Sequence, residues 1–285
     1  MLKIALPNKG RLMEDARSAL GDAGLEVRAA GDRALVASLG DEFTALFVRA
    51  RDIPEFIADG AADAGITGWD CVAESGRVLE SALDLGFGRC RLVVAVRRDS
   101  TTTVANLAEG TRVASAFPRL AAEFFAARGK RVHVVPVSGA AEVAPHLGIA
   151  DVIVDLVSSG STLRVNGLVE AETVLESSAR LIRRPRAEMT EDAARSIDEL
   201  AVALESVVRA RGQRYLMANV PRAKLEEVRA VLPGLNGPTV VDVLGGAFVA
   251  VHAVVPQREV YRVVTRLRAL GGEGILVTRI ERLTP

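Results

Sequence analysis

The sequence has few aromatic residues and no excess of either charge. Phe, Trp and Tyr make up 4% of its 285 residues, and 36 Lys and Arg balance 36 Asp and Glu. Proteins that bind single-stranded nucleic acid usually combine a basic surface with aromatic stacking platforms. We therefore expect no nucleic-acid partner, and a polyanionic ligand would have to be held by a local site or by a metal ion.

Cysteine and histidine are scarce and scattered. The chain has two Cys and three His, and Cys71 and Cys90 are not in a CxxC arrangement. This spacing suggests neither a disulfide framework nor a zinc site. We expect both cysteines to be small buried hydrophobic residues.

Long apolar runs are also missing. No stretch approaches the roughly 18 residues of a membrane span, and Leu2–Leu6 reads directly as a strand without a signal-peptide pattern. We expect no membrane partner and a cytoplasmic location. Hydrophobic residues make up 49% of the chain, which is enough for the cores of about two domains and a smaller third.

The stretch from Asp151 to Leu163 carries the most informative pattern. An apolar β-branched run predicts a buried strand, and a hydroxyl-rich loop then leads into a helix start. Hydroxyls, a glycine that allows close backbone approach, and free N–H groups at a helix start all suit a phosphate. The predicted phosphate site consists of Ser158, Ser159, Gly160, Ser161 and Thr162.

Asp155 lies at the C-terminal end of this predicted strand. Its carboxylate could accept hydrogen bonds from the hydroxyls of a sugar that carries the phosphate. The alternative is an ordinary Ser/Thr-rich turn with a helix cap, because these residues favour caps for local reasons. The spacing matches neither the Walker nor the Rossmann fingerprint, so the loop alone leaves both interpretations open.

Strands and helices alternate along the first 211 residues, which predicts an α/β fold. Residues 1–90 with 180–211 would form one lobe, and residues 91–179 would form a second lobe that carries the hydroxyl-rich loop. Strand-like sequence from Glu172 to Arg184 and a long helix capped by Thr190 would return the chain to the first lobe. Two lobes joined by two crossings should enclose a cleft.

Other polar residues follow predicted strands, where ligands gather in α/β folds. Lys9 follows the first strand, Asp70 follows a short strand, and Glu142 lies in the first turn of a helix predicted from Ser138. Each also has a local explanation: Lys9 as a solvated charge, Asp70 as a helix N-cap and Glu142 as a surface acid favoured by the helix dipole.

Residues 212–285 follow a different pattern. Their predicted order is βαββαβ, the order of a ferredoxin-like module. The segment has no obvious catalytic set, so we expect a regulatory or assembly role.

Several motifs together resemble the long form of ATP phosphoribosyltransferase. Each motif is weak alone, but they follow that family's order over the whole chain. They are Pro7–Leu12, Arg49 with Asp52 and Ile53, Gly60–Asp70, Leu85–Gly88 and Asp155–Leu163.

The resemblance implies Mg²⁺-dependent condensation of ATP with phosphoribosyl pyrophosphate (PRPP), the first step of histidine biosynthesis. Adenine N1 would attack ribose C1, and pyrophosphate would leave. The loop would hold the 5-phosphate, Asp155 the ribose hydroxyls, and Lys9 with magnesium the pyrophosphate. Arg49, Asp70 and Glu142 would line the cleft. The magnesium ligands are unknown, and we expect catalysis chiefly by positioning and electrostatics.

The resemblance also implies a homo-oligomer, from dimer to hexamer, inhibited by histidine at the C-terminal module. The histidine site would include Asn219, Thr239, Glu273 and Gly274. The predicted fold is thus α/β, with a two-lobed, periplasmic-binding-protein-like catalytic part and a ferredoxin-like (βαββαβ) regulatory domain.

An alternative from another class is a cytoplasmic two-lobed ligand-binding sensor without catalysis. Periplasmic-type solute receptors have the same double crossover, and fold does not determine function. A catalytically silent relative of the transferase is a further alternative, which is disfavoured because both Lys9 and Asp155 are present.

Overall fold

The computed structural model describes residues 1–28, 31, 34–232, 234–235 and 237–284. The chain divides into two compact units, Met1–Ala201 and Val202–Pro285. No helix among the described residues is both long and apolar enough to cross a membrane.

The first lobe of the first unit is built on a seven-stranded sheet in the order β2-β3-β4-β1-β5-β12-β6. Its strands are β1 (Leu2–Pro7), β2 (Val27–Arg28), β3 (Val36–Leu39), β4 (Phe43–Val48), β5 (Ala64–Gly68), β6 (Glu80–Asp84) and β12 (Ala179–Arg183). Helices α1 (Gly10–Asp22), α2 (Ile53–Ala58) and α3 (Trp69–Ser75) follow the parallel strands β1, β4 and β5. The C-terminal ends of these neighbouring strands therefore share one edge of the sheet.

The central strand β1 and helix α1 form as the sequence predicts. Four consecutive residues of β1 are buried, as expected for a strand covered on both faces. In α1, Ala16, Ala19 and Leu20 are buried on one stripe, and the helix ends before Gly24, whose φ is +88°. A positive φ is the usual end of a helix at glycine.

The second lobe is built on a five-stranded sheet in the order β11-β7-β10-β8-β9. Its strands are β7 (Cys90–Arg97), β8 (Arg112–Ser115), β9 (His133–Pro136), β10 (Val152–Val157) and β11 (Leu168–Ser177), and its helices are α4 (Pro118–Ala126) and α5 (Ser161–Val165). Successive residues of the central strand β10 face opposite sides, so Val152 and Val154 join one core while Ile153 joins the other.

Two chain crossings join the lobes, at residues 85–89 and at Ser178. The crossings are hydrogen-bonded to each other, since Ala179 N–H donates to the Phe87 carbonyl and Leu85 N–H donates to the Ala179 carbonyl, both at 2.9 Å. The two-lobed α/β arrangement is therefore confirmed. The return helix α6 (Glu191–Ala210) begins after Thr190, whose Oγ1 accepts a hydrogen bond from Ala193 N–H at 3.3 Å.

Some local predictions are wrong. The helix predicted from Ser138 is a single 3-10 turn, Ala141–Val143, because Ala140 adopts a left-handed φ of +53° and Pro145 follows closely. The strand-like segment from Glu172 to Arg184 is two strands of different sheets. The strands β2, β3 and β6 were not predicted from the sequence.

The second unit has the predicted βαββαβ order. Its strands β13 (Gln213–Pro221), β14 (Thr239–Asp242), β15 (Phe248–Pro256) and β16 (Glu273–Arg279) form an antiparallel sheet in the order β14-β15-β13-β16, with helices α7 (Leu225–Val231) and α8 (Val260–Ala269). Alternate residues of β13 and β15 are buried in a core shared with both helices. The unit begins within α6; the predicted boundaries at 90, 180 and 212 stay predictions.

We predict that Ser115→Ala lowers the free energy of unfolding by about 1–3 kcal/mol. The fully buried Ser115 Oγ donates to the Val154 carbonyl at 2.7 Å and accepts from Phe117 N–H at 2.9 Å, so alanine leaves both groups unsatisfied. Urea denaturation of the full chain measures the change. The exposed Ser138→Ala is the control and should stay within about 0.5 kcal/mol; equal stability of the two variants would contradict the assignment.

Candidate active site

Three predicted site residues lie at the shared edge of the first lobe. Lys9 follows β1 as the N-cap of α1, Arg49 follows β4, and Asp70 lies two residues beyond β5. Asn8 N–H donates to the Val48 carbonyl at 2.9 Å, which ties the first two loops together. The side chains of Lys9 and Arg49 are exposed and have no hydrogen bond or ion pair within the described part of the chain. Two free cations at adjacent strand ends suit an anion.

Asp70 differs from these cations because it is buried, with 6% of its surface exposed. It is the second residue of α3, whose N-cap is Gly68, so the alternative of Asp70 as an N-cap is wrong. The Asp70 carboxylate accepts a hydrogen bond from Ser177 Oγ at 2.6 Å, and the same hydroxyl accepts one from Asp70 N–H at 3.0 Å. Asp70 thereby joins α3 to the end of β11 in the second lobe, and its contact with substrate stays a prediction.

The two cysteines have different surroundings. Burial and the neighbouring Asp70 charge raise the pKa of the Cys71 thiol to about 12, and Cys71 is a buried residue as predicted. Cys90 is only partly buried and lines a cavity, so the same prediction is wrong for it.

Asp155 and Glu142 come together in the second lobe. Asp155 is on the same side of β10 as Ile153, the side that packs on the turn Ala141–Val143. Desolvation is the largest effect on Asp155 and raises its pKa; the charge of Glu142 raises it further. The Leu156 N–H, which donates to Asp155 Oδ1 at 2.8 Å, and the charge of Arg51 oppose the rise.

The hydroxyl-rich loop lies at the end of β10; Ser158, Ser159, Ser161 and Thr162 are exposed and Gly160 is buried. Ser159 Oγ is 2.9 Å from Ser161 Oγ, and Arg164 Nη1 donates to the Ser159 carbonyl at 3.1 Å. Gly160 is required here because its φ is +70° and a Cβ would lie 3.0 Å from Glu170 Oε1. Helix α5 has only five residues, so the hydroxyls and loop N–H groups must provide most of the anion contacts.

Two adjoining cavities open beside this loop. One, of about 180 Å³, is lined by Glu142 and by residues 155–163, which include the whole predicted phosphate site. The other, of about 350 Å³, shares Val157 and Ser158 with the first and extends to both chain crossings. Its remaining lining residues are Asp84, Arg89, Cys90, Arg91, Glu176, Ser177, Ser178 and Arg180.

The three arginines of the larger cavity were not predicted from the sequence as site residues. The Arg180 guanidinium lies 4.2 Å from the centre of the Trp69 ring, and its buried Nε has no hydrogen-bond partner among the described residues. Arg91 pairs with Glu170 at 3.0 Å, and Arg89 Nε donates to the Gly86 carbonyl at 3.2 Å. Arg89 ends the first crossing and Arg91 follows it in β7, but only the fold brings Arg180 to them.

The histidine-site residues predicted in the second unit are only partly assembled. Asn219 lies opposite Glu273 across β13 and β16, and a Cβ on Gly274 would lie 3.2 Å from Asn219 Nδ2. Thr239 is on the edge strand β14 and pairs with His252 of β15, and the strands β15 and β13 separate β14 from β16. The structure thus brings Asn219, Glu273 and Gly274 together and leaves Thr239 apart.

Comparison with known proteins identifies the family. The model of the family "ATP phosphoribosyltransferase" matches residues 49–206, and the model "HisG, C-terminal domain" matches residues 210–282. Over the full length of both chains, the sequence is 66% identical to an ATP phosphoribosyltransferase of Gemmatimonas aurantiaca and 48% identical to one of Natronomonas pharaonis.

A solved structure agrees with this result. The chain from the ATP phosphoribosyl transferase (HisG:HisZ) complex of Thermotoga maritima superposes with a TM-score of 0.65 at 25% identity, covering 73% of this chain and 99% of that one. The alternative of a sensor without catalysis is not favoured, because the full-length relatives are named as enzymes. The chain therefore belongs to the ATP phosphoribosyltransferase family in its long form with the C-terminal domain, and it is an enzyme of the first step of histidine biosynthesis.

Proposed function

We propose that the enzyme transfers the 5-phosphoribosyl group of PRPP to N1 of ATP, releases pyrophosphate, and is inhibited by histidine. One observation carries the substrate assignment: a half-buried carboxylate, Asp155, lies directly beside an exposed loop of hydroxyls in the same cavity. This pair suits a sugar phosphate, with the phosphate on Ser158–Thr162 and the sugar diol on Asp155.

Pyrophosphate would lie toward the first lobe. Lys9 and Arg49 are unpaired within the described residues and come from adjacent strand ends. The loop that carries Arg49 also carries Arg51, whose charge acts on Asp155, so this edge of the first lobe faces the Asp155 cavity. PRPP would then be held by both lobes, with its 5-phosphate on one and its leaving group on the other.

ATP would occupy the larger cavity. This cavity adjoins the phosphate loop through Val157 and Ser158, so a bound nucleotide there could approach the ribose. Arg89 and Arg180 have no carboxylate partner within hydrogen-bonding distance among the described residues, and their charges suit the triphosphate.

Transfer would depend on positioning and on charge. The adenine N1 lone pair forms the new bond to C1 while the bond from C1 to pyrophosphate breaks, and the electron pair leaves with pyrophosphate. The ribose becomes cation-like between these events, and the Asp155 carboxylate at its hydroxyls would favour that charge. Lys9 and Arg49 would stabilise the negative charge that develops on the leaving group.

Magnesium fits this site as a substrate-held ion. The described residues contain no group of three or more His, Cys, Asp or Glu that could hold a metal alone. Mg²⁺ commonly uses one or two carboxylates together with substrate phosphates, and Glu142 with Asp155 provides such a pair. When bound, magnesium would neutralise charge on pyrophosphate.

Histidine would bind the second unit near Asn219, Glu273 and Gly274. Gly274 has no side chain, so the Asn219 amide lies close to its backbone, and that amide can both donate and accept hydrogen bonds. We also propose a homo-oligomer, dimer to hexamer; the similar chain of Thermotoga maritima occurs in the HisG:HisZ complex, which supports assembly but not its composition. The cytoplasmic location stays a prediction.

Pyrophosphate release tests the proposed reaction. We expect release only when PRPP, ATP and magnesium are all present, with a pyrophosphatase added to draw the equilibrium forward. Asp155→Asn keeps the shape but removes the charge, so we expect kcat to fall by at least about 100-fold. Release from PRPP without ATP would contradict the transfer, and full activity of Asp155→Asn would contradict the role of its charge.

The phosphate loop can be tested by binding. We predict that Ser161→Ala and Thr162→Ala each weaken PRPP binding by about 1–3 kcal/mol, because each removes a hydrogen bond to a charged phosphate. Calorimetric titration with PRPP and magnesium measures this. Thr173→Ala changes another exposed hydroxyl of the second lobe and is the control. Unchanged affinity in both loop variants would mean that the loop is only a turn.

Feedback inhibition can be tested in the full-length chain. We predict that Asn219→Ala raises the histidine concentration for half inhibition about tenfold, since it removes a polar side chain from the proposed pocket. Thr278→Val, at an exposed position of β16, is the control and should leave inhibition unchanged. Equal inhibition of wild type and Asn219→Ala would place the histidine site elsewhere.

A further inference from the structure

Helix α4 begins without a cap of its own. Its N-cap is Phe117, which has no hydrogen-bonding side chain, and its first residue is Pro118, which has no N–H. Ala121 N–H bonds to the Phe117 carbonyl at 3.0 Å, so the N–H groups left free in the first turn are those of Arg119 and Leu120. A helix start of this kind needs an acceptor from elsewhere.

Glu74 in the first lobe provides that acceptor. It lies in the last turn of α3, and its Oε1 accepts from Arg119 N–H while its Oε2 accepts from Leu120 N–H, both at 2.9 Å. The two carboxylate oxygens thus satisfy both free N–H groups of a helix in the second lobe. The negative charge is also favoured at a helix N-terminus.

Other groups of the first lobe contact the same turn. The Arg51 guanidinium lies 4.6 Å from the centre of the Phe117 ring, within the range of a cation–π interaction. The Arg119 side chain covers Gly76, where a Cβ would lie 1.1 Å from Nη1. The first turn of α4 is therefore a place where the lobes are held together by directed contacts, away from the two chain crossings.

We propose that Glu74 is a positioning residue of the transfer reaction, a latch between the lobes that sets the width of the cleft. The inference rests on the proposed function, in which PRPP is held by Lys9 and Arg49 on one lobe and by the Asp155 cavity on the other. A substrate held from both sides binds well only when the spacing between its two sets of contacts is fixed in advance. Glu74 touches no substrate and acts through the position of the second lobe.

The test is steady-state kinetics of Glu74→Ala and Glu74→Gln in the full-length enzyme with magnesium. We expect the KM for PRPP to rise at least about tenfold, because closing the cleft must then be driven by substrate binding. We expect kcat to stay within about twofold, since the saturated enzyme is closed in either case. Peptides that cover residues 117–125 should exchange amide hydrogen faster in both variants.

A purely structural cap would give another pattern. Loss of folded enzyme lowers the apparent kcat and leaves KM unchanged, and that result would overturn the proposal. If Glu74→Ala does not fold, Glu74→Gln decides, because its amide keeps one acceptor oxygen. Glu123→Gln is the matched control: it removes the within-lobe partner of the same Arg119, 2.7 Å from its Nε, and should leave KM unchanged.

The wild-type assay separates the two proposals. A wild type that does not form pyrophosphate from PRPP and ATP would contradict the proposed function itself. An active wild type, together with Glu74 variants of unchanged KM, would contradict the latch alone.

Discussion

The backbone hydrogen bonds between the two chain crossings are the constraint on which the first unit depends. Ala179 is hydrogen-bonded to both Leu85 and Phe87, so the two chain segments that pass between the lobes lie side by side. Two segments paired in this way allow rotation about one axis but resist shear, because sliding would break the paired bonds. The crossings alone would let the lobes differ in their opening, and the contacts of Glu74 with the first turn of α4 limit that opening.

The separation of the site between two lobes explains how its charged residues are arranged. The second lobe contains a half-buried carboxylate, Asp155, whose pKa is raised by desolvation and by the charge of Glu142. The first lobe contributes exposed cations from loops after parallel strands, and Arg51 lowers the same pKa from across the cleft. The Asp155 carboxylate thus faces cations of the other lobe, and a ligand with a sugar and several phosphates can contact both.

The parts of the site that sequence could predict are those that depend on neighbours in the chain. The hydroxyl loop and Lys9 each follow an apolar strand and Asp155 lies near the end of one, and a strand end in an α/β fold is recognisable from a few residues. The larger cavity was missed because Arg89 and Arg180 are distant in sequence and meet only through the crossings. The cap of α4 was missed for the same reason, since local rules look for it at Phe117 and not at Glu74.

Prediction of the fold from the sequence was correct where hydrophobic periodicity was strong. It was wrong where a single residue set the backbone conformation or the path of the chain. The stretch after Ser138 has helix-forming residues, but the left-handed backbone at Ala140 limits it to one turn, and that conformation has no signal in the sequence. The strand from Glu172 to Arg184 was divided because Ser178 lies at the crossing, which is a property of the two sheets rather than of the segment.

The chain contains one tryptophan, Trp69, and it lies under the Arg180 guanidinium beside the larger cavity. Indole emission responds to the charge and polarity around the ring. A nucleotide that draws Arg180 toward its phosphates would change the electric field at this single indole ring. The protein therefore carries its own optical reporter of that cavity, which needs neither label nor coupled enzyme.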